Sequence, residues 1–258
     1  MPMLLSKEEQ ELEVKKNRRR FVQTCKKCGG TGFLTRMNNG YEESYPCSCL
    51  KVVKRNVKLL DWGVPRKFLN DKWNMDFLKE KPYYQDIKNY IDNFQENYDN
   101  GKGLFLYGPQ GRGKTTVESI IAKEVVMMVN PDTFSKKQTF NVAFAMYDDI
   151  VKKQFDKEQS QLKYFLYKSD LLIIDNVGNE TGKNEKQFSQ RILEMILRKR
   201  DNDCLPTILS SNYNIDEMAT EYNNDVRDFI LQNDKLVSVL GDNHRIENCH
   251  EEYDDTDF

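Results

Sequence analysis

Residues Gly108 to Thr115 read Gly-Pro-Gln-Gly-Arg-Gly-Lys-Thr, a full match to the phosphate-binding P-loop pattern G-x-x-x-x-G-K-[ST]. Its three glycines allow the backbone N–H groups to turn toward phosphate oxygens, and the helix that follows adds positive partial charge at its N-terminus. We expect Lys114 to contact the β- and γ-phosphates of ATP and the Thr115 hydroxyl to bind Mg²⁺. The residues predicted to hold ATP or ADP here are Gly108, Pro109, Gln110, Gly111, Arg112, Gly113, Lys114, Thr115 and Thr116.

Two apolar segments further along the chain end in polar side chains that suit the same nucleotide. The first ends in Asp175, which would bind Mg²⁺ through water. Asn176 comes next. An amide cannot accept a proton from the water that attacks ATP as a carboxylate does, so Glu180 is the nearby candidate for this proton acceptor. The second segment ends in Asn212, which is either an ordinary turn residue or a contact to the γ-phosphate. Its spacing after Asp175 favours the contact.

Four of the six cysteines lie in two close pairs, Cys25 with Cys28 and Cys47 with Cys49. Zinc prefers four tetrahedral thiolate or imidazole ligands, and two close pairs supply them from two separate turns. Between the pairs, the sequence predicts a hairpin that turns at residues 38–40. The alternatives are four free thiols or a redox pair, and the redox role is disfavoured because no thioredoxin-like strand precedes the first pair. A zinc ion with four protein ligands is structural and not catalytic.

The elements that must position these residues alternate between apolar runs and helical patterns from residue 103 onward. This alternation predicts the α/β fold of a P-loop NTPase, a parallel sheet flanked by helices, preceded by the small four-cysteine zinc module. We expect strands over residues 104–107, 140–144, 171–175 and 207–211, and helices over about 83–98, 117–126 and 185–200. The predicted units are a charged N-terminal helix (1–22), the zinc-binding module (23–55), the ATPase domain (56–250) and an acidic tail expected to be disordered (251–258).

Composition restricts the class of protein. The 258 residues include 39 Lys and Arg against 41 Asp and Glu, and a net charge of −2 gives no global basic field that would indicate nucleic-acid binding. No apolar run approaches the ~20 residues that span a bilayer, and the first ten residues lack a signal-peptide core. We therefore expect a cytoplasmic protein without membrane contact. The basic run at residues 15–20 is interpreted as a solvated face, with contact to DNA or a partner as the alternative.

Five segments carry a family resemblance. In chain order they are Leu59 to Phe68, Gly103 to Pro109, Asp170 to Glu180, Pro206 to Asn212 and Gly241 to Arg245. In this order and spacing they resemble the DnaC/DnaI family of bacterial and phage replicative helicase loaders, AAA+ ATPases related to the IstB transposition ATPases. The resemblance covers roughly residues 59–246. The cysteine pairs ahead of it are similar to the zinc-binding N-terminal module of phage members, which IstB proteins generally lack.

The resemblance implies roles for further residues. Asn212 corresponds to the sensor 1 position, and Arg245 matches the sensor 2 position in the ending motif. The family also donates an arginine finger to the neighbouring subunit's ATP, which implies Arg227, with Arg200 as the rival. Arginine suits these roles because its planar fork binds phosphate oxygens bidentately. AAA+ ATPases commonly place Glu or Asp at the position of Asn176, so the resemblance implies slow hydrolysis here.

The resemblance implies an ATP-dependent loader that places a hexameric replicative helicase on single-stranded DNA during phage DNA replication. The zinc module and N-terminal helix would bind the helicase, while the ATPase domain would assemble into an ATP-dependent oligomer and contact single-stranded DNA. The protein would be phage-encoded and work in the cytoplasm of the bacterial host. The alternative is an IstB-like regulator that assembles on DNA and recruits a transposase. A third hypothesis is a nucleotide-gated adaptor with negligible hydrolysis, which Asn176 supports.

Overall fold

The computed structural model describes residues 5–70, 72–130, 139–153, 159–178 and 183–241. Its N-terminal part contains a helix, a π-helical turn, a two-stranded hairpin and a second helix. In chain order these are α1 (Lys7–Asn17), the turn Arg18–Val22, β1 (Phe33–Asn38), β2 (Tyr41–Pro46) and α2 (Ser48–Asp61). A capping box starts α1, because the Ser6 hydroxyl accepts the Glu9 N–H while the Glu9 carboxylate accepts the Ser6 N–H.

The hairpin predicted between the cysteine pairs is confirmed. Strands β1 and β2 pair antiparallel along their full lengths, which leaves Asn39 and Gly40 as a two-residue turn. Both residues have left-handed backbone, with φ of 50° at Asn39 and 85° at Gly40. A type I′ turn requires positive φ at both central positions, and Asn-Gly is the sequence that adopts it most readily.

Short helices connect α2 to the sheet. They are a 3₁₀ turn (Arg66–Leu69), α3 (Met75–Leu78), α4 (Tyr84–Asp92) and α5 (Phe94–Asp99). The single helix predicted over residues 83–98 is therefore divided in two. The break is at Asn93, whose side chain donates to the Asn89 carbonyl and whose backbone, with φ −105° and ψ 26°, leaves the helical region.

Within the described residues, the main sheet has five parallel strands in the order β4-β5-β6-β3-β7. The strands are β3 (Gly103–Tyr107), β4 (Val142–Met146), β5 (Leu171–Val177), β6 (Thr207–Ser211) and β7 (Asp234–Ser238). The helices around them are α6 (Lys114–Val125), α7 (Tyr147–Lys153), α8 (Gln159–Lys168), α9 (Lys183–Asn202), α10 (Ile215–Glu221) and α11 (Asn224–Asn233). The predicted parallel sheet flanked by helices is confirmed.

Alternate residues of each strand enter two separate apolar layers, as expected of a parallel sheet covered on both faces. Leu104 and Leu106 of β3 belong to one layer with α4 and α6. Phe105 belongs to the other layer, which includes residues of α9, α10 and α11. Among the described residues, no helix is both long and apolar enough to cross a membrane.

Helix α2 connects the cysteine region to the main sheet. Its buried Asn56 donates to Asn17 of α1, and Arg66, just beyond its end, pairs with the buried Glu13 of α1 at 2.5 Å. Past its C-terminal residue, the Trp62 carbonyl accepts the N–H of Phe144 in β4 at 2.8 Å. The predicted boundary between residues 55 and 56 lies inside this helix.

Candidate nucleotide and metal sites

The P-loop lies between the end of β3 and the start of α6, as the motif requires. Its three glycines all have positive φ: 147° at Gly108, 84° at Gly111 and 92° at Gly113. A Cβ atom at Gly108 would lie 2.5 Å from the carbonyl oxygen of Val239, so only glycine allows the chains to approach this closely. The sequence thus folds into a loop whose backbone is free to surround phosphate oxygens.

Lys114 is buried at the base of this loop. Its Nζ donates to the carbonyls of Gly108 at 2.6 Å and Pro109 at 3.0 Å, and to Oδ1 of Asn212 at 2.8 Å. Asn212 directly follows β6, which lies next to β3 in the sheet. The structure therefore brings together the lysine and the amide that the sequence analysis assigned to the same phosphates.

The two residues predicted to bind magnesium are also in contact. The Thr115 hydroxyl donates to Oδ2 of Asp175 at 2.8 Å. Asp175 is buried near the end of β5, and its other oxygen accepts the Ser210 hydroxyl at 2.7 Å. Hydroxyl and carboxylate oxygens form the hard donor set that Mg²⁺ prefers, so these residues fit the metal that accompanies ATP.

Two buried residues of this region were missed by the sequence analysis. Ser210 belongs to a segment that was interpreted only as a strand, and it lies next to Asp175 because Leu209 is opposite Ile174 in the sheet. Glu118, one turn after Lys114 on α6, is completely buried. Burial first, and then the nearby charge of Asp175, raises the pKa of Glu118 well above its usual range. The available signal was an acid one turn before the apolar residues Ile121 and Ala122.

Asn176 has an unusual backbone for its position. It lies at an irregularity between β5 and β6, where pairing shifts between Ile174 and Val177, and its φ is 66°. Its N–H donates to the Ser210 hydroxyl at 3.1 Å. Asn and Asp adopt this left-handed conformation more readily than other side chains do. Asparagine at position 176 therefore suits the local backbone conformation, and its side chain also lines the nucleotide pocket.

One cavity contains most of the predicted nucleotide residues. Its predicted members are Gln110, Gly111, Gly113, Lys114, Thr115, Thr116, Asp175, Asn176 and Asn212, and its unpredicted ones are Lys67, Phe68, Trp73 and Met146. The buried Lys123 of α6 positions the unpredicted wall, because its Nζ donates to the carbonyls of Phe68, Asn70 and Trp73. Arg112 lies outside this cavity and donates to the Gly241 carbonyl at 2.6 Å.

The candidate arginines occupy different environments. Arg200 is 1% exposed, and its guanidinium donates to Thr207 Oγ1 and to the carbonyls of Leu166, Ser169 and Pro206. These bonds give it a structural role, so the rival assignment as an arginine finger is wrong. Arg227 lies on α11 outside the pocket of its own chain and pairs with Asp228 at 2.6 Å. Its role toward a neighbouring subunit stays a prediction. Three predictions fall outside the described residues: Glu180, Arg245 and the acidic tail.

The four paired cysteines converge on one point. All four sulfur atoms lie within 4.8 Å of one another, with Cys25 to Cys47 at 3.9 Å and Cys28 to Cys49 at 3.8 Å. Tetrahedral zinc with Zn–S bonds of ~2.3 Å places its sulfurs about 3.8 Å apart, so the geometry fits this metal.

Backbone hydrogen bonds favour the thiolate form that zinc requires at two of the four cysteines, whereas burial, and then the neighbouring thiols, raise the pKa of Cys49 to about 12. Burial opposes ionisation of Cys28, but the N–H of Gly32 donates to its sulfur at 3.2 Å and helps to lower the pKa of that thiol to about 6. The N–H of Cys49 similarly lowers the pKa of the Cys47 thiol.

Comparison with known proteins agrees with this geometry. Residues 104–228 match the family model described as "ATPase family associated with various cellular activities (AAA)". The chain is 21% identical over 227 residues to the replicative helicase loader DnaI of Bacillus subtilis (strain 168), a match that covers 78% of this chain and 69% of that protein.

Two solved structures share the fold. A crystal structure of the DnaC helicase loader matches with a TM-score of 0.55 and 20% identity, covering 68% of this chain and all of that one. The AMPPCP-bound DnaA from Aquifex aeolicus matches with a TM-score of 0.52 and 20% identity, covering 72% of this chain and 56% of that one. The fold is therefore the AAA+ P-loop fold, and the ATPase family match supports nucleotide binding and ATP hydrolysis.

Proposed function

We propose that this protein is an ATP-dependent loader of a hexameric replicative DNA helicase. The observation that supports this most is the likeness to the Bacillus subtilis loader, because it extends over 78% of the chain and thus beyond the ATPase core at residues 104–228. At 21% identity this likeness supports a role in replication without identifying the helicase.

In this proposal, ATP binds in the P-loop with Lys114 at its β- and γ-phosphates. Mg²⁺ is held by Thr115 and Asp175, and Asn212 contacts the γ-phosphate. Glu180 or a partner supplies the carboxylate that Asn176 lacks. Arg227 reaches the ATP of the neighbouring subunit, while Arg245 contacts the nucleotide of its own chain.

The N-terminal part has a separate task in this proposal. Zinc bound by Cys25, Cys28, Cys47 and Cys49 stabilises the hairpin module, which together with α1 binds the helicase. The ATPase domains assemble side by side on ATP and hold single-stranded DNA, so that contacts from several subunits add up. The similarity of the cysteine module to phage loaders supports a phage-encoded protein working in the cytoplasm of the bacterial host.

The test separates helicase binding from helicase loading. Lys114→Ala removes the phosphate contact, and we expect it to abolish loading onto single-stranded DNA while the variant still co-purifies with the helicase. Lys163→Ala, which removes an exposed lysine of α8, is the matched control and should retain both activities. Loading by Lys114→Ala at the wild-type rate would contradict ATP-dependent loading, and a protein that binds no replicative helicase is not a loader.

A further inference from the structure

We propose that the N-terminal part of the chain, residues 5–55, itself binds single-stranded nucleic acid through basic and aromatic side chains around the four-cysteine cluster. We call these residues the basic module. The inference goes beyond the proposed function, where single-stranded DNA is assigned to the ATPase domain and the N-terminal part to a protein partner. It stands on charge and exposure and not on the likeness to loaders.

The first observation is an uneven distribution of charge. The basic module contains twelve Lys and Arg and six Glu, a net charge of +6, while the remaining residues carry −8 and bring the whole chain to −2. Such asymmetry between parts of a chain indicates interaction with a polyanion. The low net charge of the whole protein hides this local field, which acts over about 8–10 Å at physiological salt.

The second observation is that most of these cations are exposed and unpaired. Within the part of the chain that the structure describes, none of eight exposed cations forms an ion pair. They are Lys15, Arg18, Arg19, Arg20, Lys26, Lys27, Lys51 and Lys54. An exposed ion pair adds little stability to a folded protein, so single unpaired cations are common. A group of eight cations repels itself, and binding of a phosphate backbone would relieve that repulsion.

The fold gathers these cations around the cysteine cluster. Lys26 and Lys27 lie in the loop between Cys25 and Cys28, whose sulfurs contact those at the start of α2. Lys51 and Lys54 are in the first turns of α2. The turn at residues 18–22, which contains the three arginines, packs on the same helix. Three separate segments thus contribute charge to one region.

The third observation favours a single-stranded nucleic acid over an acidic protein. The hairpin exposes aromatic rings on both faces, with Tyr41 80%, Phe33 49% and Tyr45 38% exposed. The Arg36 guanidinium, which also pairs with Glu43 at 2.7 Å, lies 5.6 Å from the Tyr45 ring centre. Proteins that bind single strands combine a basic groove with aromatic platforms for the bases, and bases in a duplex are not available for such stacking.

The test measures DNA affinity of the full-length, zinc-loaded protein without ATP. The probe is a fluorescent oligothymidine of about 20 nucleotides, longer than one such site, followed by anisotropy across a range of salt concentrations. We compare Lys26→Ala/Lys27→Ala with the matched control Lys163→Ala/Arg191→Ala, which removes two exposed cations of α8 and α9. We expect the slope of log affinity against log salt to become shallower by about 1.4 in the first variant only.

Two further variants test the module independently. Lys51→Ala/Lys54→Ala replaces cations by a strong helix former, so α2 is preserved, and it should weaken binding as the loop variant does. Tyr41→Ala should weaken binding roughly tenfold without changing the salt slope, because stacking involves no counterion release. Tyr164→Ala, which removes an exposed ring of α8, is its control. Unchanged zinc content confirms that the four-cysteine cluster is intact in each module variant, and an unchanged melting temperature confirms that each control variant is folded.

Several outcomes would overturn the inference. An equal loss of affinity in Lys26→Ala/Lys27→Ala and in its control Lys163→Ala/Arg191→Ala would mean that only overall charge matters. Unchanged affinity in all module variants would place the DNA contact in the ATPase domain. Tighter binding of a duplex competitor would exclude the single-stranded assignment. Module variants that bind DNA normally but lose an acidic protein partner would assign the surface to protein. Helicase loading is measured separately, so the DNA-binding result can be interpreted even if the protein is not a helicase loader.

Discussion

The Ser210 hydroxyl donates a hydrogen bond to Oδ1 of Asp175 at 2.7 Å and accepts the N–H of Asn176 at 3.1 Å. One serine on β6 therefore fixes two consecutive residues at the end of β5. Because Thr115 occupies the other carboxylate oxygen, the Asp175 side chain is held from both sides. Outer hydrogen bonds of this kind set the orientation of a metal ligand.

Ser210→Ala is expected to raise the Mg²⁺ concentration needed for half-maximal ATPase activity by roughly tenfold or more, because loss of an outer partner weakens metal affinity. ATP binding itself should be retained. The measurement is a magnesium titration of steady-state hydrolysis. Ser119→Ala is the matched control, since the Ser119 hydroxyl is buried without a hydrogen-bond partner among the described residues. Identical titrations for the two variants would contradict the role given to Ser210.

Asn176→Asp is expected to raise ATP turnover by about 10²-fold, because a carboxylate at this position accepts a proton from the attacking water. Asp is a better test than Glu because the φ of 66° suits Asp and Asn. Steady-state hydrolysis with DNA and helicase present is the measurement, and Glu180→Gln is run alongside. Fast wild-type turnover that survives Glu180→Gln would show that the catalytic carboxylate is a different residue.

Wild-type protein is expected to hold one zinc ion per chain, and Cys47→Ser should lose it. The ~25 residues between the outer cysteines contain too little apolar surface to fold without metal, so the hairpin should become sensitive to protease. Metal analysis of protein purified without added zinc checks this. Cys204→Ser, at an exposed cysteine outside the cluster, should keep its metal. Substoichiometric zinc that Cys47→Ser leaves unchanged would refute the site.

Asp234→Asn is expected to raise the melting temperature at neutral pH and to leave it unchanged near pH ~4, the ordinary range of an Asp pKa. Oδ2 of Asp234 is buried without a hydrogen-bond partner among the described residues, and burial raises the pKa of this group well above its usual value. The folded state therefore keeps a proton that the unfolded state loses, so the free energy of unfolding falls as pH rises from the unfolded pKa near ~4 toward the raised folded pKa.

Thermal unfolding at both pH values checks the Asp234 prediction. The control is Asp99→Asn, an exposed carboxylate at the end of α5, which should change the melting temperature little at either pH. A stabilisation by Asp234→Asn that is equal at the two pH values would show that burial of the charge is not its cause.

The central strands were predictable because each is a continuous apolar run with a polar or glycine boundary. The predicted span 207–211 is identical to β6, and 104–107 and 171–175 differ from β3 and β5 by at most two residues at one end. The strand predicted over 140–144 begins two residues later, because the Asn141 N–H bonds to the Asp170 side chain. Strand β7 was missed since it has two apolar residues and lies at the sheet edge.

The candidate site was predictable where a motif supplies the chemistry, as with Lys114 and Asp175. Ser210 and Glu118 were not, because their proximity to Asp175 depends on strand register and on how α6 packs against β5. The wall formed by Phe68 and Trp73 depends on Lys123, which is distant in the sequence and donates to their backbone carbonyls. Contacts of that kind leave no periodic or compositional pattern.

Helix α2 has a mechanical consequence. With 14 residues it is about 21 Å long, and it is anchored at one end by the cysteine cluster and at the other by the bond from Phe144 of β4 to Trp62. A helix that is held at both ends transmits a displacement of one end to the other. A tilt of the hairpin would therefore displace the β4 edge of the sheet, next to β5, the strand that carries Asp175. The cysteine module and the strand that carries Asp175 are thus connected through one helix, without direct contact between the hairpin and the nucleotide pocket being needed for that connection.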